Sequence, residues 1–263
     1  MTDFNRNAAA AQYGRPLTRA EAAVVDEGLR AYMLRIYNYM VIGLAITGFA
    51  ALGIYMLSVT NDPALSVLTV RNIMLTNIGY ALFVSPLKWV VILAPLGLVF
   101  FLSYRIEAMQ PATAQITFWV YAALVGVSLG AIFLIYTHTS IVRVFFITAA
   151  SFGALSLFGY TTQRDLTGMG SFLIMGVFGI IIASLVNIFV ASTMLQWIIS
   201  VVGVLVFAGL TAYDTQRLKS EYIYGSMEGA VMERSAIMGA LSLYLDFLNL
   251  FTMLLQLLGT REE

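Results

Sequence analysis

Two aspartates, Asp214 and Asp246, lie within the last two long apolar runs of a chain that otherwise keeps its acids out of such runs. A carboxylate near the middle of a bilayer costs roughly 2.5 to 3.5 kcal/mol on insertion scales, so an ionisable residue there marks a functional position by default. On neighbouring helices the two suggest one shared site. Two carboxylates brought together where water is scarce cannot both ionise cheaply, and the pair then holds one proton jointly. Such a pair can report cytoplasmic pH. Arg105, at the end of the second apolar run, is the expected counter-ion. Asp214 holds it while the acids carry more negative charge, and the hold weakens when a proton joins them. The chemistry expected is a pH-set latch on a cation path.

Calcium is the divalent ion to weigh against this pair. A tight site needs six to eight oxygen ligands, and no acid-rich loop of the EF-hand type is present. Asp214 and Asp246, with Tyr213, Ser242, Tyr244 and Asn249 as supporting or pore-lining groups, attract such an ion only weakly and transiently. Weak attraction suits a leak, because an ion held too tightly does not leave.

These acids must be positioned by membrane helices. The chain has 263 residues, of which 60% are hydrophobic and 11% charged, and its mean hydropathy is +0.87. Soluble domains carry about 25% charged residues. With no cysteine and one histidine, His138, disulfides, thiol catalysis and a His-based metal cluster are excluded, and no cofactor is expected. A net charge of zero argues against a nucleic-acid partner. Spanning a bilayer takes about 20 mostly apolar residues. Seven stretches qualify, approximately Tyr32 to Leu57, Leu87 to Tyr104, Ile116 to Tyr136, Ile141 to Tyr160, Phe172 to Val190, Trp197 to Asp214 and Ala236 to Leu258. The expected class is an all-α membrane protein: a polar cytoplasmic tail over 1–31, a seven-helix domain over 32–259, and a short C-terminal tail over 260–263. Pro95 is expected to kink the second span.

A cytoplasmic N-terminus collects Arg6, Arg15, Arg19, Arg30, Arg35, Arg105, Arg164, Arg217, Lys219 and Arg234 on the inner side, leaving Arg71, Lys88, Arg143 and Arg261 outside. The positive-inside rule selects that orientation. Gly126 and Gly130 form a G-x-x-x-G that allows close helix approach. In the seventh run Gly239, Ser242, Asp246, Asn249 and Gln256 recur at helical spacing and form one polar face that should avoid lipid. Asp214 falls near the inner end of its run and Asp246 about ten residues into the next, roughly 15 Å deep. The acids meet only where the sixth helix sinks inward or the seventh rides toward the cytoplasm.

The run Thr211-Ala-Tyr-Asp-Thr-Gln216, followed by Leu241-Ser-Leu-Tyr-Leu-Asp-Phe-Leu-Asn-Leu-Phe251, resembles the transmembrane Bax inhibitor motif family, the Bax inhibitor-1-like proteins. The resemblance covers about Tyr32 to Gly259, and the tails match a bacterial member. It implies a seven-helix fold whose last helix is enclosed by the other six, and a pH-sensitive calcium leak in which acid favours opening. It also implies that Asp214 and Asp246 are the proton-sensing pair and that Arg105 is the latch, the latter by position. Some relatives are linked to suppression of cell death, and some bacterial ones to quality control by a membrane protease, a candidate partner beside the bilayer and calcium.

Other readings compete. An intramembrane aspartyl protease also places one aspartate on each of two late helices. By resemblance it wants G-x-G-D at the second acid, whereas Asp246 follows Leu243-Tyr244-Leu245, so no enzyme is expected. A retinal protein needs a lysine in the seventh helix, and the last lysine is Lys219. A proton-coupled transporter would show repeated halves. A non-conducting scaffold would use the acids only to tie helices together.

Overall fold

The computed structural model describes residues 19–70, 73–224 and 229–262. Arg6 and Arg15 lie outside the described residues, as does Arg71. The elements are α1 (Arg19–Ser58), β1 (Val59–Thr60), β2 (Leu68–Val70), β3 (Ile73–Leu75), α2 (Asn77–Phe83), α3 (Leu87–Arg105), α4 (Pro111–Leu129), α5 (His138–Thr161), α6 (Thr167–Val190), α7 (Thr193–Tyr224) and α8 (Gly229–Leu258). Single 3-10 turns follow α3 and α4. Among the described residues seven helices are long and apolar enough to cross a membrane: α1 and α3 to α8. The protein is an all-α membrane protein with seven candidate spans.

Several boundaries differ from the sequence expectation. α1 has 40 residues, about 60 Å at 1.5 Å per residue, twice the roughly 30 Å hydrocarbon thickness. Its start at Arg19 extends the first helix back into the polar segment, because a helix need not end where its apolar run ends. The loop after α1 holds a three-stranded antiparallel sheet in the order β1-β3-β2. Val59, Thr60, Thr69, Val70 and Ile73 are β-branched types that favour strands. The apolar segment 78–84 forms the separate helix α2, started by the Thr76 hydroxyl, which accepts the Gly79 N–H at 3.2 Å. α4 begins with Pro111, where the missing N–H costs nothing. His138 opens α5, exposed, with its ring 5.3 Å from Tyr55 and 5.5 Å from Phe133.

The described chain forms two compact units. One gathers the chain up to Asn38 with Val142–Leu258, and the other takes Tyr39–Ile141 with Gly259 onward. In the second, α4 packs on α1 through the two expected glycines. A Cβ on Gly126 would fall 2.5 Å from the Thr47 carbonyl oxygen, and one on Gly130 would strike Ile54. The Thr47 hydroxyl donates across the same contact to Ala122 O at 2.9 Å. Pro95 is buried inside α3.

The first unit holds both aspartates. α7 and α8 run antiparallel, in a register marked by Ser200 with Gln256, Gly203 with Met253, Arg217 with Ser242, and Leu218 with Gly239. α6 pairs with α7 through Gly170 against Tyr213, Leu173 against Gly209, and Gly176 against Val206. α8 is flanked within this unit by α7, by α5 (Phe145 and Phe152 edge-on to Phe247) and by the start of α1 (Tyr32 with Ser235, Ile36 against Gly239). Leu243 and Tyr244 have no exposed surface.

Candidate functional site

Asp214 and Asp246 are 7% and 5% exposed, and their carboxyl groups lie beside each other at the contact of α7 with α8. The depth mismatch expected from sequence is removed by the register of the two helices, since α8 starts at Gly229 rather than Ala236 and α7 does not end near Asp214. It continues ten residues to Tyr224, so Asp214 sits about 15 Å from the helix end. Neighbouring hydroxyls of α7 do not compete for the acids. Thr211 and Thr215 return theirs to the carbonyls of Phe207 and Thr211, each at 2.8 Å.

A carboxylate can accept hydrogen bonds but not donate them. Written as two carboxylates, the pair leaves Asp214 Oδ1 and Asp246 Oδ2 buried without a donor. The cation beside them is Arg217, three residues along α7. Its Nη2 lies 3.3 Å from Asp214 Oδ1 and donates to the Ser242 hydroxyl at 3.3 Å. Its Nε lies 3.5 Å from Glu221 Oε1. Neither carboxylate contact has hydrogen-bond geometry, since Asp214 Oδ1 and Arg217 Nε both lack directed partners. The guanidinium is therefore held by charge between a buried acid and one nearer the helix end.

Arg105, the latch that the resemblance implies, belongs to the other compact unit. It is exposed at the C-terminal end of α3, a favourable place for a cation on the helix dipole, and makes no ion pair among the described residues. The cation that the structure sets on Asp214 is Arg217. Spacing of i, i+3 was the available signal, read in the sequence only as an inner-side charge.

Of the supporting residues, Ser242 reaches the site through Arg217. Tyr213 turns away, its ring filling the space where Gly170 has no side chain. Tyr244 is fully buried, two residues after Ser242 and so on the opposite side of α8. Asn249 donates to the Leu245 carbonyl at 2.9 Å and lines a cavity described below. Among the described residues, no three His, Cys, Asp or Glu side chains are grouped to hold a metal ion.

Sequence reasoning also missed how firmly the end of α7 is pinned. The Gln216 side chain accepts the Leu166 N–H at 2.7 Å and donates to the Arg164 carbonyl at 2.8 Å. Thr215, Ser156 and Tyr37 form a hydroxyl chain with steps of 3.0 and 2.5 Å. Lys219 is 3% exposed and donates to the Tyr160 carbonyl at 2.9 Å.

Seven long apolar helices, with two neighbouring carboxyl groups buried among them, define a multi-pass membrane protein. The comparisons are more specific. The model of the family described as Inhibitor of apoptosis-promoting Bax1 matches residues 29–263, and the chain belongs to that family. It is 45% identical to an uncharacterized protein of Caulobacter vibrioides over the whole of both chains. Identity to the uncharacterized protein RP147 of Rickettsia prowazekii is 44%, over 94% of this chain and 96% of the relative. The inner membrane protein YbhL of Escherichia coli is 42% identical over 89% of this chain and 94% of its own.

Proposed function

We propose that this protein is a pH-gated cation leak of a bacterial inner membrane, able to pass calcium, whose gate is a proton shared by Asp214 and Asp246. The observation that carries the reading is the buried contact between the two acids, which needs a proton to become a hydrogen bond. One proton, two carboxyls and the Arg217 guanidinium sum to zero charge, the cheapest state for a group of ions shielded from water. A second proton removes the negative charge that holds Arg217, and Glu221 is the acid left to receive it. Acid therefore favours the open form. With both acids protonated no negative charge holds a calcium ion in the path, and it passes without a tight site. No covalent chemistry belongs to this reading. The fully buried Leu243 and Tyr244 before Asp246 leave no room for a substrate backbone, which weighs against a protease.

The inner membrane location follows the name of the Escherichia coli relative, and the cytoplasmic N-terminus follows the arginine distribution. A role in stress response or cell survival, alone or through a membrane protease, rests on the family resemblance. The test is purified protein in liposomes loaded with a calcium dye and stepped through pH. Flux should rise on acidification, and Asp214→Asn or Asp246→Asn should remove the pH response. Absence of flux at every pH would leave the acids as a packing device and favour the non-conducting scaffold.

A further inference from the structure

A cavity of about 370 Å³ opens between α6 and α8 with α7 as its floor, a size within the range of small-molecule sites. Its walls include Ile181 and Ile188 on α6, Phe207 on α7 and Met253 on α8, and no charged side chain lines it. Ile181 and Ile188 are 49% and 68% exposed on a helix that crosses the membrane, so molecules dissolved in the bilayer reach the cavity from the side.

Two polar groups break the apolar lining, Ser184 and Asn249. Thr148, Ser200 and Thr211 in the same unit each return their hydroxyl to the carbonyl one turn back. Ser184 makes no hydrogen bond among the described residues. The Asn249 amide donates to Leu245 O, while its Oδ1 has no donor among them. A polar group left unpaired at hydrocarbon depth is costly, and lipid tails cannot satisfy it. Asn249 Oδ1 needs a donor, and Ser184 offers both a donor and acceptor lone pairs. A hydroxyl answers both needs, whereas a carboxylate or phosphate has no donor for Asn249 and brings a charge that nothing in the lining offsets.

We propose that this cavity is a binding site for a membrane-dissolved, single-tailed amphiphile with an uncharged hydroxyl head group, held by Ser184 and Asn249. This goes beyond the leak reading and does not depend on it.

The test uses the full chain in phosphatidylcholine nanodiscs and a hexadecanol probe carrying a diazirine and an alkyne, with labelled peptides mapped by mass spectrometry. Labelling should saturate and fall on the segments holding Ile181 to Ile188 and Asn249 to Met253. Unlabelled hexadecanol should compete about two- to tenfold better than hexadecane, the ratio one net hydrogen bond supplies. Ser184→Ala should erase that preference, and so should Asn249→Leu. Ile181→Trp, which fills the cavity from its lipid side, should abolish labelling with the thermal melt unchanged. Labelling that does not saturate, or equal competition by alcohol and alkane, means that ordinary bilayer tails fill the cavity, and the proposal fails. Palmitate competing as well as the alcohol overturns the uncharged head group. Should Asn249→Leu fail to fold, Ser184→Ala decides alone.

Discussion

At the scale of single residues, the position of Arg217 decides what the aspartate pair can do. The guanidinium lies 3.3 Å from Asp214 and 3.5 Å from Glu221, so it can pass between the two acids with little backbone movement. Arg105 makes no ion pair among the described residues. In the liposome assay, Arg217→Gln is therefore expected to alter the pH response of flux more than Arg105→Gln, and Glu221→Gln to strengthen the hold on Asp214 and lower flux at acid pH. An Arg105→Gln change larger than that of Arg217→Gln would return the latch to α3. The aspartates were legible because acids stand out in apolar runs. Arg217 was not, because in sequence it is one of several cations near a helix end. Only the continuation of α7 to Tyr224 reveals that it lies level with Ser242.

Elements place the site by how their ends are fastened. Gln216 bridges the backbone at Arg164 and Leu166, fixing the connection between α5 and α6 to the helix that carries Asp214. Gln216→Leu removes both bonds and leaves the buried Leu166 N–H without an acceptor, at a cost of about 1 to 3 kcal/mol for the orphaned group. A lowered thermal midpoint in detergent should register it, and an unchanged midpoint would mean that water replaces the amide. Next to that clamp, Asp165 accepts the N–H of Thr167, the first residue of α6. The hydroxyl and N–H of Thr167 hold its carboxyl below the usual aspartate range, the backbone contact being 2.8 Å. A carboxyl with a depressed pKa in the folded chain contributes stability that is full above its unfolded value, about 3.9, and is lost as pH falls through the folded value. Asp165→Asn should therefore flatten the acid limb of the stability curve below about pH 4, lower stability by a constant amount above it, and converge on the native chain at the acid end. Identical acid limbs would dismiss the contact. The short sheet β1-β3-β2 was illegible for a different reason. Strands of two or three residues show too few alternations for periodicity to register.

Across the whole molecule, the seven spans could be read from sequence because length and hydropathy alone set them. The fastening of the chain's last residues could not, since it uses the backbone and leaves no side-chain pattern. Thr137 N–H donates to Thr260 O at 3.0 Å, Thr260 N–H to the Ser140 hydroxyl at 2.8 Å, and Glu262 N–H to Ile135 O at 3.0 Å, with Tyr136 bridged to Arg261. A segment expected to be a short tail thus makes a β-bridge with the turn that starts α5. Removing residues 260–263 takes away the acceptor of the Thr137 N–H, a group close to the half-buried helix start. Its amide hydrogen should then exchange with solvent at least tenfold faster, because an opening free energy lowered by about 1.4 kcal/mol is one decade in rate. Amides in the middle of α8 should keep their protection. If Thr137 exchanges at the same rate in both chains, the bridge contributes nothing to holding that turn, and the start of α5 is fixed by the helix itself.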